Sequence, residues 1–242
     1  MQDNSPNPVQ SPSCDEALHA KSVPRKIFCF WTGRNPMSPT RANCLRSMRE
    51  NLGVPIELVT WRDLDRYILP EAPLHPGFKY LSCIHKSDYL RCYFMHFYGG
   101  GYADIKPYTK ENNWRLCFDA MDALGSVQLI GQPEFLDGTP VKELNTPFNV
   151  VNLVSVSYFI TRPRCAFTTG WYHRLLGKMD YFLTALQSHP ATDPFGGAEY
   201  RVPWVALLGD IFPRVTMDFR LSNPNAVCSA LCSGIDRTKG WR

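Results

Sequence analysis

The stretch His85 to Tyr108, HKSDYLRCYFMHFYGGGYADIKPY, restricts the fold more than any other part of the chain. From Tyr80 to Tyr98 the spacing predicts a helix, because Leu81, Ile84, Asp88, Arg91 and Met95 share a stripe at steps of three and four. Tyr89 to Tyr98 is apolar apart from Arg91 and His96, so this half of the helix is expected inside the protein. Asp88 and Arg91 must then find partners there, since an unpaired buried charge is costly. Gly99, Gly100 and Gly101 end the helix and let the backbone turn where a Cβ would resist. A short strand, Tyr102 to Lys106, is expected next. Alternation puts Asp104 and Lys106 on one face, with Ala103 and Ile105 on the other.

The segments on either side alternate between strand and helix. Lys26 to Trp31, KIFCFW, has strand length and runs into a loop signal, Thr32 to Pro36. Ser38 is placed to cap a helix with Pro39 at its first position, stopped at Gly53. Ile56 to Thr60 reads as a strand, and Asp63 to Leu69 as one or two helical turns. Past the central stretch, a helix is expected over Asn112 to Leu124 and strands over Ser126 to Ile130 and Ser155 to Thr161. A helix over Phe167 to Gln187, interrupted near Gly177, and a short one around Trp204 to Phe212, ended by Pro213, complete the reading. Gly131 to Phe148 reads as a loop able to cover a site, and Val215 to Arg242 carries no clear pattern. Alternation of this kind implies an α/β domain with a Rossmann-type, largely parallel sheet flanked by helices, whose ligand sites gather beyond the carboxyl ends of the strands.

A chain of 242 residues, 44% of them hydrophobic, can bury one sizeable core. Residues 1–22, rich in Ser, Pro, Asn and Asp, read as a disordered tail, and 23–242 as one domain. The formal charge of +4 comes without a long basic run, which argues against nucleic acid as a partner. A mildly basic surface suits an anionic small ligand such as a diphosphate, or loose peripheral attraction to a membrane. The nine cysteines show no CxxC pair and no regular spacing, so neither a zinc site nor a disulfide framework is expected. A reducing compartment, the cytoplasm, follows from that pattern. No signal peptide and no apolar run long enough for a transmembrane segment is expected.

Residue types alone leave two readings of the central motif open. Asp88 and Arg91, three apart on a helix, are spaced for a structural ion pair. Alternatively Asp88, Arg91, Asp104 and Lys106 line one polar pocket at the sheet edge, suited to a sugar or a phosphate. Arg91 then offers forked donors, Asp88 an acceptor for hydroxyls, and Lys106 a compact positive charge. His85 reads as a pocket edge and His96 as a helix residue packed within the core. Asp193 and Glu199, with Glu134 and Asp137, lie in loop-like contexts where an acceptor hydroxyl can be met, although a solvated surface acid is the commoner reading. Tyr200 and Trp204 read as core residues.

The joined pattern S-D-x-x-R, helix, Y-G-G, then an acid in a D-x-D position resembles sugar transferases of the capsular-polysaccharide synthesis and DXD-type sugar-binding families. Pro24 to Gly33, PRKIFCFWTG, resembles their opening strand, and the resemblance runs to about Tyr108. Beyond that it rests on SYFITRP and YRVPWVALLGDIF. It implies a GT-A-like nucleotide-sugar transferase, with a donor-binding half at 23–110 and an acceptor-side half at 111–242. A glycan or glycolipid is the implied acceptor, in polysaccharide or surface-glycan biosynthesis, with retention of anomeric configuration. It also implies Trp31 and Thr32 near the base and ribose of the donor, Asp88 and Arg91 on the donor sugar, and Asp104 as the first acid of the D-x-D. The second acid is replaced by Lys106. Two carboxylates there normally help hold Mn2+ or Mg2+ against the diphosphate, and an ammonium cannot be a ligand. Three expectations follow: a metal on Asp104 alone, a metal-independent transferase in which Lys106 stabilises the departing diphosphate, or a catalytically silent carbohydrate- or nucleotide-binding module. Arg91, Asp104 and Lys106 are the expected catalytic residues.

Overall fold

A computed structural model describes residues 22–108, 114–133 and 153–228. The tail expected at 1–22 lies outside these residues except for Ser22, as do Glu134, Asp137 and most of the expected covering loop. The described chain forms a mixed sheet flanked by helices on both faces. Strands β1 (Ile27–Trp31), β2 (Ile56–Thr60), β3 (Gly100–Ala103), β4 (Leu129–Pro133), β5 (Val154–Thr161) and β6 (Val227–Cys228) are ordered β2-β1-β3-β5-β4-β6. β1 is parallel to β2, with Ile27 opposite Ile56, and parallel to β3, with Ile27 opposite Gly101. β5 is antiparallel to both β3 and β4, and β6 is parallel to β4. Among the described residues, then, β5 alone opposes a mostly parallel sheet. Both expected halves of the domain contribute strands to this sheet.

The period of two along each strand divides the core. Phe28, Phe30, Tyr102 and Phe159 face helices α2 (Cys83–Phe97), α4 (Ala166–Ser188) and α5 (Phe212–Ser222), where Tyr93, Phe94, Trp171 and Phe212 pack against them. Ile27, Cys29, Ala103 and Ile160 face α1 (Pro39–Asn51) and α3 (Trp114–Ala123), and pack with Met48, Trp114 and Phe118. Fully burying each of these large side chains is worth about 1.5–3 kcal/mol, so the two apolar layers, rather than local propensity, hold the sheet.

α1 begins where Ser38 Oγ accepts the Arg41 amide at 3.3 Å, with Pro39 in the first turn. α2 starts later than the periodicity suggests, because Ser82 Oγ takes the His85 N–H at 3.2 Å and so sets the start, while Phe78–Tyr80 makes a short 3-10 turn. The strand after the glycines also comes earlier than expected: β3 is Gly100–Ala103, and Asp104 to Lys106 lie beyond its end. Gly99 and Gly100 have φ of +63° and +84°, and a Cβ on Gly99 would stand 2.5 Å from Pro163 Cδ. The helix can therefore turn straight into the neighbouring strand.

Three other expectations are corrected. α4 passes unbroken through Gly177, since buried Trp171, Leu175, Met179 and Leu186 outweigh the roughly 1 kcal/mol a helical glycine costs. Pro213 opens α5 instead of ending a helix, because a first-turn residue needs no amide proton. The strand expected at Ser126 to Ile130 is shifted to Leu129–Pro133, a turn bonded from Val127 N to Leu124 O at 2.8 Å occupying the residues before it. Cys117 is disulfide-bonded, while Cys29, Cys44, Cys83, Cys92, Cys165 and Cys228 are free. No helix among the described residues is long and apolar enough to cross a membrane.

Candidate functional site

Because α2 returns through the glycine turn into β3, its amino end stands at the carboxyl ends of the parallel strands. The segment after β1 meets it there: Thr32 Oγ1 donates to Cys83 O at 2.6 Å. Trp31 is half-buried, its indole Nε1 donating to Asn35 O at 2.9 Å, which folds the loop back on itself. Along α2, Asp88 to Met95 is buried without a break, and it is into this layer that the two charges of the helix point.

Asp88, Arg91, Asp104 and Lys106 form one chain of contacts. Arg91 Nη2 lies 3.5 Å from Asp88 Oδ1 and 3.5 Å from Asp104 Oδ1, and Lys106 Nζ lies 3.1 Å from Asp104 Oδ2. The Arg91 guanidinium stands over the Tyr102 ring at 4.0 Å and donates through Nη1 to Val156 O, but its buried Nε has no hydrogen-bond partner among the described residues. Side-chain exposure is 7% for Arg91, 8% for Asp88, 10% for Asp104 and 18% for Lys106, so the lysine is the most accessible of the four. Asp88 and Arg91 therefore form the expected ion pair, and the pair is one link of a four-residue cluster.

Burial decides the electrostatics of Asp88. It pushes the carboxyl up to about 6, against the opposing pull of Arg91 and with Asp104 adding to the rise. For Arg91 burial works against the charge, yet Tyr102, Asp104 and Asp88 outweigh it and hold the guanidinium protonated. The long 3.5 Å contact to Asp88 is thus enough to support the cation but not to offset the desolvation of the anion.

Several residues that place the cluster escape a reading of the sequence. Tyr102 donates its hydroxyl to Asp104 Oδ1 at 2.7 Å, and Tyr108 donates to Asp104 O at 3.2 Å. Arg41 on α1 donates to Ile105 O at 2.6 Å, and Asn51 Nδ2 to Tyr108 O at 2.6 Å. The tyrosines lie inside the motif and carried a local signal. Arg41 and Asn51 carried none, because only the packing of α1 across the sheet brings them to residues 104–108.

His85, His96, Asp193 and Glu199 have structural partners. His85 is buried, with Nδ1 2.8 Å from Tyr200 Oη and Nε2 3.2 Å from Trp204 O, and burial lowers its pKa. His96 stacks on Tyr172 at 5.0 Å, and burial, with Arg164 and His173 nearby, lowers it to about 4. Asp193 Oδ1 accepts the amides of Phe195 and Gly196 at 2.7 and 2.8 Å, and Glu199 pairs with Arg201 at 3.0 Å in solvent. Trp204, expected in the core, is 61% exposed.

The donor set at Asp104 does not suit a divalent cation. Oδ1 is taken by Tyr102 and Arg91, and Oδ2 faces an ammonium at 3.1 Å where an ion would need oxygen ligands. Among the described residues no group of three or more His, Cys, Asp or Glu converges. The chain matches no family model, and no curated protein matches it at a significant level.

Proposed function

We propose that this chain is a GT-A-like glycosyltransferase, moving a sugar from a nucleotide donor to a glycan or glycolipid in polysaccharide or surface-glycan biosynthesis, with retention at the anomeric carbon. The observation that supports it most is the Asp104 carboxylate held between Arg91 and Lys106 at the carboxyl end of β3. Open α/β sheets bind ligands at that edge, and the cluster offers acceptors for sugar hydroxyls together with fixed positive charge for a diphosphate. Trp31 and Thr32 belong to the donor side in this reading.

Each residue has a task that follows from its environment. Lys106, the most accessible of the cluster, swings toward the donor and balances charge as the nucleoside diphosphate departs, a role a metal ion fills where two acids are present. Arg91, stacked on Tyr102 and fixed by Val156 O, holds the Asp104 carboxylate in place. Asp88 accepts from a donor hydroxyl. Such a site works without Mn2+ or Mg2+.

The test is release of nucleoside diphosphate from a panel of nucleotide sugars, with chelator and with added manganese. Release from one donor that survives chelation is the expected result. Release only with manganese would move the ion onto Asp104 and overturn the role given to Lys106. A second reading, a silent carbohydrate- or nucleotide-binding module, is favoured by Lys106 occupying the place of an acid. Donor binding without release in the presence of any saccharide acceptor would select it, and absence of both binding and release would sink both readings.

A further inference from the structure

At the carboxyl ends of β1 and β2 two arginines share one aromatic ring. Arg34, in the loop after β1, carries its guanidinium carbon 4.9 Å from the centre of the Trp61 ring, and Arg62 carries its own 5.3 Å from the same centre. Both segments are anchored. Trp31 Nε1 donates to Asn35 O at 2.9 Å and closes the first loop around Arg34. After β2, Thr60 Oγ1 donates to Asp63 Oδ2 at 2.6 Å and Asp63 N to Thr60 O at 3.1 Å, a turn that encloses Trp61 and Arg62. Trp61 is 41% exposed and both arginines are exposed, so the cluster opens to solvent.

The two positive charges stand within about 10 Å of each other, a separation that salt at 0.1 M does not fully screen. The indole face attracts each cation but brings no negative charge. Among the described residues neither guanidinium meets a carboxylate or donates a hydrogen bond, and the acid next to Arg62, Asp63, gives its Oδ2 to Thr60 instead. Two forked sets of donors, held on one ring without a counter-charge, suit a bound oxyanion. We infer that Arg34, Trp61 and Arg62 form a phosphate-binding subsite, which takes the phosphate of a nucleotide or of a phosphorylated saccharide.

Charge selects this occupant. A phosphate monoester carries close to two negative charges near neutrality and so matches two guanidiniums, whereas a carboxylate carries one. Asp63 and Asp65 follow Arg62 directly and end the positive face, which is too short for a nucleic-acid backbone or an anionic membrane. Strand register fixes the place. β1 lies between β2 and β3, with Trp31 opposite Thr60 and Ile27 opposite Gly101, so Trp61 and residues 104–106 leave the same edge of the sheet two strands apart. Two strand spacings are roughly 10 Å. The subsite is thus level with Lys106 but separate from it, and phosphate binding there needs no transfer step.

Isothermal titration calorimetry of the full chain at low salt tests the subsite with glucose 1-phosphate, uridine and guanosine 5′-diphosphate, and glucuronate. The same titrations in Lys106→Ala tell it apart from any phosphate held by the Asp104 cluster. Saturable binding of a phosphate probe is expected in both chains. Arg34→Ala and Arg62→Ala are each expected to weaken it about tenfold, the scale of one charge-assisted hydrogen bond, and the double variant more than either. Trp61→Leu keeps every charge but removes the ring that holds the guanidiniums, and is expected to weaken binding about as much as one arginine variant. Arg46→Ala, which removes an exposed arginine of α1, is the control and is expected to change nothing. All of these side chains reach solvent, and circular dichroism checks that each variant folds. Tighter binding of the nucleoside diphosphates names a nucleotide as the source of the phosphate, and tighter binding of glucose 1-phosphate names a phosphorylated saccharide. Failure of every phosphate probe to bind would overturn the subsite, as would native affinity in the double arginine variant or in Trp61→Leu. So would an equal loss in Arg46→Ala, binding abolished by Lys106→Ala alone, or glucuronate bound as tightly as glucose 1-phosphate.

Discussion

Replacing Asp88 by Asn is expected to stabilise the protein at neutral pH while impairing its site. Burial raises the Asp88 carboxyl from 3.8 to about 6. At 1.36 kcal/mol per unit, keeping that group ionised in the folded protein costs about 3 kcal/mol. The sign follows from linkage. Between the unfolded and folded values the native state binds the extra proton, so the native protein loses this stability as pH rises through that window and the loss is complete above the folded value. Asn presents a carbonyl to Arg91 in the same place without the charge. His96 titrates the opposite way: its folded value of about 4 lies below 6.5, so its contribution is lost as pH falls. A raw stability curve mixes the two. The informative quantity is the difference in unfolding free energy between Asp88→Asn and the native protein, from urea denaturation across about pH 4 to pH 8. It should grow by about 3 kcal/mol in favour of the variant and level off near neutrality. A flat difference, or one that grows in favour of the native protein, would show that Arg91 holds the Asp88 charge more than burial opposes it, and would refute the reasoning.

Other perturbations separate the parts. Arg91→Ala leaves the buried Asp88 and Asp104 facing each other without their shared cation, and is expected to cost about 3–5 kcal/mol in urea unfolding. Lys106→Ala should lower release of nucleoside diphosphate about a hundredfold with little change in melting temperature, because the ammonium acts on charge developed by the departing group; the enzyme assay and a thermal melt together check it. Gly99→Ala should lower stability by about 2 kcal/mol or more, from its positive φ and the 2.5 Å approach to Pro163 Cδ. Gly177→Ala, in open space within α4, should raise it by about 0.5–1 kcal/mol, with calorimetry reading both.

Much of this architecture is legible along the chain because it depends on short periods. The apolar run of strand length at Ile27 to Trp31, the cap at Ser38 and the turn at Gly99 and Gly100 each act on neighbours a few residues away. Errors fell where a distant surface outweighed a local preference. Buried Trp171 and Met179 carry α4 through Gly177, and Pro213 lies in the first turn of a helix held by Phe212 against Phe159 and Phe167 and by Phe219 against Phe167. The mixed direction of the sheet was equally out of reach, since nothing within Val154–Thr161 says that it pairs antiparallel with both β3 and β4.

The same division holds at the site. Residue spacing alone placed Asp88 and Arg91 on one helical stripe, put Asp104 and Lys106 together after a glycine turn, and required that buried charges be paired, because those constraints are local or follow from the cost of desolvation. Tertiary structure decided the rest. It made Arg91 the bridge between two carboxylates, set Asp88 above its ordinary range, brought Arg41 and Asn51 from α1 to hold residues 104–108, and laid the 189–205 loop along the stripe of His85. Those depend on distances between segments many residues apart, which packing of the helices on the sheet establishes and no spacing along the chain encodes.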